Sequence, residues 1–292
     1  MHLQFFKLPT LFALNAAFTM GALSLQAQEK VAHCRFVPER KDDFAFENDK
    51  VAFRMYGPAL AEGGENSGID CWLKRVDYPI IDRWYRLEAE GVQSYHEDHG
   101  EGYDPYHVGS SFGCGGLAIW KDGELIKSNV YRSYKVISDG PEQVKFELSY
   151  LYESEGIEEV KRITLDKGNR LFHAVSHFTK DGEAVEVELA VGLTTHEGKA
   201  DVYSDAEDGV IAAWETIHES GLGTGVILPR EFSATIHETD GEGVDDDLAF
   251  FVTSTDEDGM ISYYAGYGWE RAGEITSFEE WKTYLSQFSE ED

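Results

Sequence analysis

The segment 94–116 concentrates side chains that could do chemistry. His96 and His99 stand three apart and His107 follows eight residues later; Glu97, Asp98, Glu101, Asp104, Tyr95, Tyr103 and Tyr106 are interleaved with glycines. Such a glycine-rich polar loop cannot be core, because its backbone and side chains would lack partners there, so it lines a surface or a site. Imidazole and phenol groups in this pattern suit β-elimination from a uronic acid. A base takes the proton next to the carboxylate, a Tyr or His protonates the leaving oxygen, and a cation or hydrogen-bond donor quenches the carboxylate charge. His96, His99, Tyr103, Tyr106 and His107 are therefore the candidate catalytic residues. As ligands, the same histidines with Asp98 or Glu101 would suit a divalent metal, although their spacing matches no zinc signature and the sequence requires no cofactor. The plain alternative is a solvated loop on an acidic protein.

Just upstream lie Trp72, Lys74, Arg75, Tyr78, Arg83, Trp84, Tyr85 and Arg86. This cluster reads either as ordinary ion pairing with neighbouring acids or as a carboxylate clamp, for which Arg75 or Arg83 has the bidentate geometry. Trp84 would supply a sugar-stacking face, while Trp72 packs in the core beside Cys71. Later in the chain, His196 ends a strand and projects either into a cleft or from a surface turn. Tyr267, Trp269 and Arg271 stand among glycines, which suits a sugar-lining loop as well as a strand-end turn. Substrate-binding candidates are thus Lys74, Arg75, Arg83, Trp84, His196, Tyr267, Trp269 and Arg271. Elimination predicts one cleft, with His99 or His96 as base, Tyr106 or Tyr103 as proton donor and Arg83 as the clamp.

Positioning these groups falls to strands. From Leu117 onward, runs such as Val144–Tyr150 alternate apolar and polar residues and are punctuated by Asp-Gly and Gly-Pro turns. His173 and His177 alternate with apolar residues and face the sheet exterior. One helix is well signalled, where Ser277 and Glu280 form a capping box ahead of Trp281, Leu285 and Phe288. A shorter helix over Tyr78–Glu90 is open to question because of Pro79. The reading is all-β: one domain over 28–292, with antiparallel sheets packed face to face and a short C-terminal helix.

Charge and composition bound the partners. Lys and Arg total 25 against 55 Asp and Glu, a net charge of −30, and phosphate binding needs clustered positive charge, so nucleic acid is excluded as a partner. Residues 1–27 follow a secretory leader, with a basic start at Lys7, an apolar stretch and Ala27 at the cleavage position, which implies a periplasmic or secreted chain with no later membrane-spanning segment. Cys34, Cys71 and Cys114 fit one disulfide plus a thiol, or three buried thiols. No Gly-x-Ser-x-Gly elbow, P-loop, dinucleotide fingerprint or His-Glu-x-x-His is present. A paired-carboxylate glycoside hydrolase stays open, since acids are everywhere.

The order of Gly140-Pro141 and Phe146-Glu147-Leu148-Ser149-Tyr150, then Lys161-Arg162-Ile163-Thr164-Leu165-Asp166, then Val187-Glu188-Leu189-Ala190-Val191-Gly192-Leu193 resembles the galactose-mutarotase-like β-supersandwich. Tyr95–Gly109 and Cys114-Gly115-Gly116 make it similar in particular to a bacterial family of unassigned domain function, encoded beside polysaccharide-degrading enzymes. The resemblance implies work on acidic oligosaccharide or polysaccharide fragments, with polysaccharide lyases and an oligosaccharide dehydratase as the nearest activities. The competing expectations are a non-catalytic sugar-binding protein and a sugar epimerase or mutarotase.

Overall fold

The computed structural model describes residues 31–66, 68–241 and 243–291. The expected leader, residues 1–27, lies outside them. The described strands form three sheets with antiparallel pairing. An N-terminal sheet runs in chain order through His33–Val37, Asp43–Glu47, Ala52–Met55, Asp70–Lys74 and Gly102–Tyr103. A large nine-stranded sheet has the order Asp201–Asp205, Val210–Ile217, Ser220–Ile227, Met260–Trp269, Leu171–Lys180, Ile157–Asp166, Gln143–Tyr152 and Ser133–Asp139, with Glu183–Ala184 beside Leu171–Lys180. A third sheet orders Thr235–Glu238, Leu248–Ser254, Glu188–Thr194, Cys114–Lys121 and Glu124–Ile126. The all-β expectation holds.

Along Gln143–Tyr152 every second side chain is buried, as expected for a sheet with one wet face. The main core forms where Phe44, Phe46 and Phe53 of the N-terminal sheet meet the large sheet. Phe44 and Phe46 lie 4.4 and 5.1 Å from the Phe146 ring, and Phe53 lies 5.1 Å from Phe172. Leu189, Val191 and Leu193 of the third sheet belong to the same core.

The other face of the N-terminal sheet carries Asp43, Ala45 and Glu47, then Ala52 and Arg54, then Asp70, Trp72 and Lys74, all buried. Helix α1 (Ile81–Ala89) and Tyr95 cover it; Ile81, Trp84, Tyr85 and Tyr95 pack with Trp72 in a second core. Two strands away in sequence, Glu47 serves as the N-terminal cap of α1, accepting the amide protons of Ile80 (2.9 Å) and Ile81 (2.9 Å). Lys74 Nζ completes the arrangement by donating to Glu47 Oε2 at 2.8 Å and to the carbonyls of Asn48 (2.8 Å) and Tyr78 (2.9 Å).

Helix α2 (Phe278–Glu291) has the expected cap in modified form. Ser277 Oγ accepts the Glu280 amide at 3.3 Å, but the Glu280 carboxylate reaches back one residue further, to the amide of Thr276 at 2.7 Å. Trp281 and Leu285 dock over Gly223 and Gly225 of the large sheet, where a Cβ would lie 2.6 and 2.7 Å from them. Trp281 Nε1 donates to the Thr224 carbonyl at 2.9 Å. The three cysteines are buried thiols without a disulfide. Among the described residues no helix is long and apolar enough to cross a membrane.

Candidate functional site

Four separate elements bring acid–base and cationic groups into one cluster. Gly102–Tyr103 pairs with Leu73–Lys74, and at Gly102 (φ 123°) a Cβ would lie 1.9 Å from the Leu73 carbonyl oxygen, so only glycine lets the loop approach closely enough to lay Tyr103 on the sheet. His218 and Glu219 both have positive φ (45° and 66°) at the two-residue tip joining Val210–Ile217 to Ser220–Ile227, the backbone of a tight hairpin turn. Trp269 ends its strand, and Arg271 follows in the next turn. Arg75 emerges from Asp70–Lys74.

At their meeting point the Tyr103 hydroxyl and His218 Nδ1 are 3.3 Å apart, with the rings stacked at 5.8 Å. Burial raises the Tyr103 pKa, Arg271 and Arg75 pull it down, and Asp98 pushes it up, so both guanidiniums and one carboxylate act on this phenol. Arg75 Nη2 donates to Asp98 Oδ1 at 2.8 Å, and Arg271 Nη1 lies 3.6 Å from Asp98 Oδ2. Arg271 Nη2 donates to the His218 carbonyl at 2.7 Å, tying the cation to the hairpin tip. The two guanidinium carbons stand 5.6 and 6.0 Å from the Trp269 ring centroid, in cation–π range.

The rest of the histidine loop diverges. His96 is more than half exposed, and its Nδ1 donates to the Asp104 carbonyl (3.1 Å); the buried Asp104 carboxylate and Asp70 share Arg54 at 3.0 and 2.6 Å. Burial raises the pKa values of Asp70 and Asp104 against the pull of Arg54. His99 is exposed, 3.9 Å from Glu97. His107 Nε2 sits 2.8 Å from Asp245, which also accepts the Ser110 amide at 2.8 Å. Buried His196 bonds Glu215 through Nδ1 (2.7 Å) and the His107 carbonyl through Nε2 (2.6 Å). Two acceptors on two ring nitrogens require an imidazolium; burial alone would lower the His196 pKa, but Glu215 and that carbonyl outweigh it and raise it.

A model of the family described as "Domain of unknown function (DUF4861)" matches residues 17–291. The chain belongs to this family. It is also 38% identical over 270 residues to "Uncharacterized protein P7" of Formosa agariphila, covering 88% of this chain and 67% of that protein. Among solved structures it is similar to the alpha-galactosidase from Lactobacillus brevis (TM-score 0.45, 9% identity, 87% of this chain and 42% of that one). It is also similar to the GH36 alpha-galactosidase AgaA from Geobacillus stearothermophilus (TM-score 0.38, 11% identity, 77% and 40%). The chain thus spans about two fifths of the length of these enzymes.

Within this DUF4861 chain the residues singled out from sequence divide clearly. Tyr103, Arg75 and Arg271 belong to the Tyr103–His218 cluster, whereas exposed His99 lines a separate small pocket with Trp84, Tyr95 and Glu101. Arg83 reaches the same loop, but it is committed to Glu101, which also accepts from Tyr78 (2.6 Å) and the Trp84 indole (3.0 Å). That matches the ion-pairing alternative rather than a carboxylate clamp. Lys74 is fully buried beneath α1 and cannot touch a saccharide. Tyr267 is likewise buried, its hydroxyl donating to the Trp72 carbonyl at 2.5 Å. Trp84 stacks on Trp72 at 5.5 Å and Trp269 is 1% exposed, so neither offers a free stacking face. Tyr106 is buried against His196, whose two nitrogens are both occupied. Among the described residues no three His, Cys, Asp or Glu side chains converge as a metal-ion group, because His96, His99 and His107 face different partners. Sequence reasoning missed His218. Its signal was the pair His218-Glu219 between two alternating runs, a two-residue turn without Gly or Asn.

Proposed function

We propose that this protein is an exported carbohydrate-active lyase that works by β-elimination on short uronate-containing oligosaccharides, either cleaving a glycosidic bond or removing water. The observation that carries the proposal is the Tyr103–His218 contact at 3.3 Å flanked by Arg75 and Arg271. In the tautomer where the Tyr103 hydroxyl donates to Nδ1, His218 keeps a proton on Nε2. The Tyr103 oxygen then takes the proton α to the uronate carboxylate as its own hydroxyl proton passes to Nδ1. The carbon–carbon double bond forms as the bond to the β oxygen breaks, and Nε2–H protonates that oxygen; one proton enters the pair and one leaves. Arg271 and Arg75 stabilise the negative charge that grows on the carboxylate. Short substrates suit a chain of net charge −30, which repels polyanions at a distance.

Incubating the protein with uronate oligosaccharides tests the proposal through the ultraviolet absorbance of the new conjugated double bond and the product masses. Cleavage gives unsaturated fragments and dehydration gives a loss of water. Saccharide binding with neither product would replace the lyase reading by a sugar-binding one.

A further inference from the structure

We infer that Asp98 is an internal stand-in for the substrate carboxylate, occupying the anion seat between Arg75 and Arg271 until a uronate displaces it. The inference rests on reading the Tyr103–His218 cluster as a uronate site, and it concerns what governs binding there. Asp98 presents one oxygen to each guanidinium, Oδ1 to Arg75 at 2.8 Å and Oδ2 to Arg271 at 3.6 Å, as a bound carboxylate would. Neither cation depends on Asp98 for its place. Arg75 Nε donates to the Gly100 carbonyl at 3.1 Å, Arg271 Nη2 donates to the His218 carbonyl at 2.7 Å, and both rest near the Trp269 ring. The seat is therefore preformed by backbone and aromatic contacts and survives the departure of its occupant.

Asp98 itself is poorly anchored to the fold. It belongs to the surface loop after α1, and among the described residues its remaining bond is to the Gly100 amide two residues on, at 2.9 Å. The side chains of Asp98, Arg75 and Arg271 are 18, 27 and 34% exposed, in contrast to the sealed Arg54–Asp70 pair at 2 and 0%. Two cations sharing one carboxylate leave a local surplus of positive charge beside Tyr103, and exchanging Asp98 for a substrate carboxylate conserves it. The ligand class that fits is a single carboxylate on a sugar ring. Competition by Asp98 weakens every such ligand and withholds the arginines from weaker anions.

Calorimetric titration of galacturonate, with neutral galactose as control, into the wild type and Asp98→Asn decides the matter. Galacturonate is expected to bind the variant about 3- to 10-fold tighter, the scale set by two partly exposed ion pairs, with galactose unchanged. The Tyr103 phenol, isolated by subtracting the ultraviolet titration of the matching Tyr103→Phe protein, should titrate at lower pH in the variant, since two cations remain and the anion is gone. Arg271→Gln, which keeps the Asp98 bonds to Arg75 and Gly100, should lose galacturonate binding. Equal or weaker binding by Asp98→Asn, or undiminished binding by Arg271→Gln, overturns the inference while leaving any measured elimination by the wild type intact. Tighter binding by Asp98→Asn in a protein that never forms a double bond would keep the seat and remove the lyase.

Discussion

Replacing Lys74 by Met should cost more stability than any single substitution in the Tyr103–His218 cluster. Lys74 is fully buried, and its ammonium satisfies Glu47 and two backbone carbonyls at 2.8–2.9 Å. Without it, Glu47 keeps the amides of Ile80 and Ile81 but loses its counter-charge, which costs about 3–5 kcal/mol for a buried pair broken from one side. The Asn48 and Tyr78 carbonyls each lose a donor, adding roughly 1 kcal/mol apiece at the low end of the range for unsatisfied groups, and the methionine side chain recovers part of this by filling the same space. A net loss of about 4 kcal/mol corresponds to a fall in Tm of roughly 10 °C for a chain of this size. Thermal unfolding by circular dichroism of the wild type, Lys74→Met, Glu47→Gln and the double variant measures it. The double variant buries no charge, so it should be more stable than Lys74→Met alone. A Lys74→Met protein within about 1 kcal/mol of wild type, or a double variant no better than Lys74→Met, would refute the account of α1 as a helix capped by a neutralised carboxylate.

Tyr103→Phe and His218→Ala should each lower turnover of a uronate oligosaccharide by about 10² to 10⁴ while Tm is unchanged; full activity in either removes the pair from the chemistry. His196 has its pKa raised, so its contribution to stability is fully present below its unfolded value of about 6.5 and fades as pH rises through the higher folded value. His196→Gln should therefore lose most relative to wild type in mildly acidic buffer and progressively less above neutrality, and a gap that widens with pH would contradict the imidazolium assignment. Gly223→Ala places a methyl 2.6 Å from Trp281 and should destabilise the chain by about 1–3 kcal/mol, with Trp281 fluorescence shifting to longer wavelength; unchanged emission and stability would show that α2 adjusts freely.

How much of this was legible in the sequence depends on which faces of a strand are covered. Gln143–Tyr152 and Ile157–Asp166 bury alternate residues, and their pattern is plain to read. The strands Asp43–Glu47, Ala52–Met55 and Asp70–Lys74 are buried on both faces. Asp43, Glu47, Arg54, Asp70 and Lys74 would each pass for a solvent-facing residue until α1 and Tyr95 are laid over them. Lys74 was misread as a ligand group for this reason. The histidine loop was recognised as unusual, but spacing along a loop says little about direction. Gly102 presses Tyr103 onto a strand, whereas the Asp104 carbonyl, Asp245 and solvent draw His96, His107 and His99 apart. His218 comes from a hairpin more than a hundred residues away, and only the pairing of Leu222 with Trp269 brings that tip near Tyr103.

The strand Met260–Trp269 lies between Ser220–Ile227 and Leu171–Lys180 in the large sheet, yet it follows every other strand of that sheet in the sequence. Before it arrives, the strands of 133–180 and those of 201–227 are two separate half-sheets, each with an open edge able to pair with another chain. Closing the sheet thus waits until residues 260–269 have been made. Trp269 sits at the end of that same strand and Arg271 in the turn after it. The cluster is therefore assembled in the step that joins the halves, and a product that stops before residue 260 has neither a finished sheet nor a site.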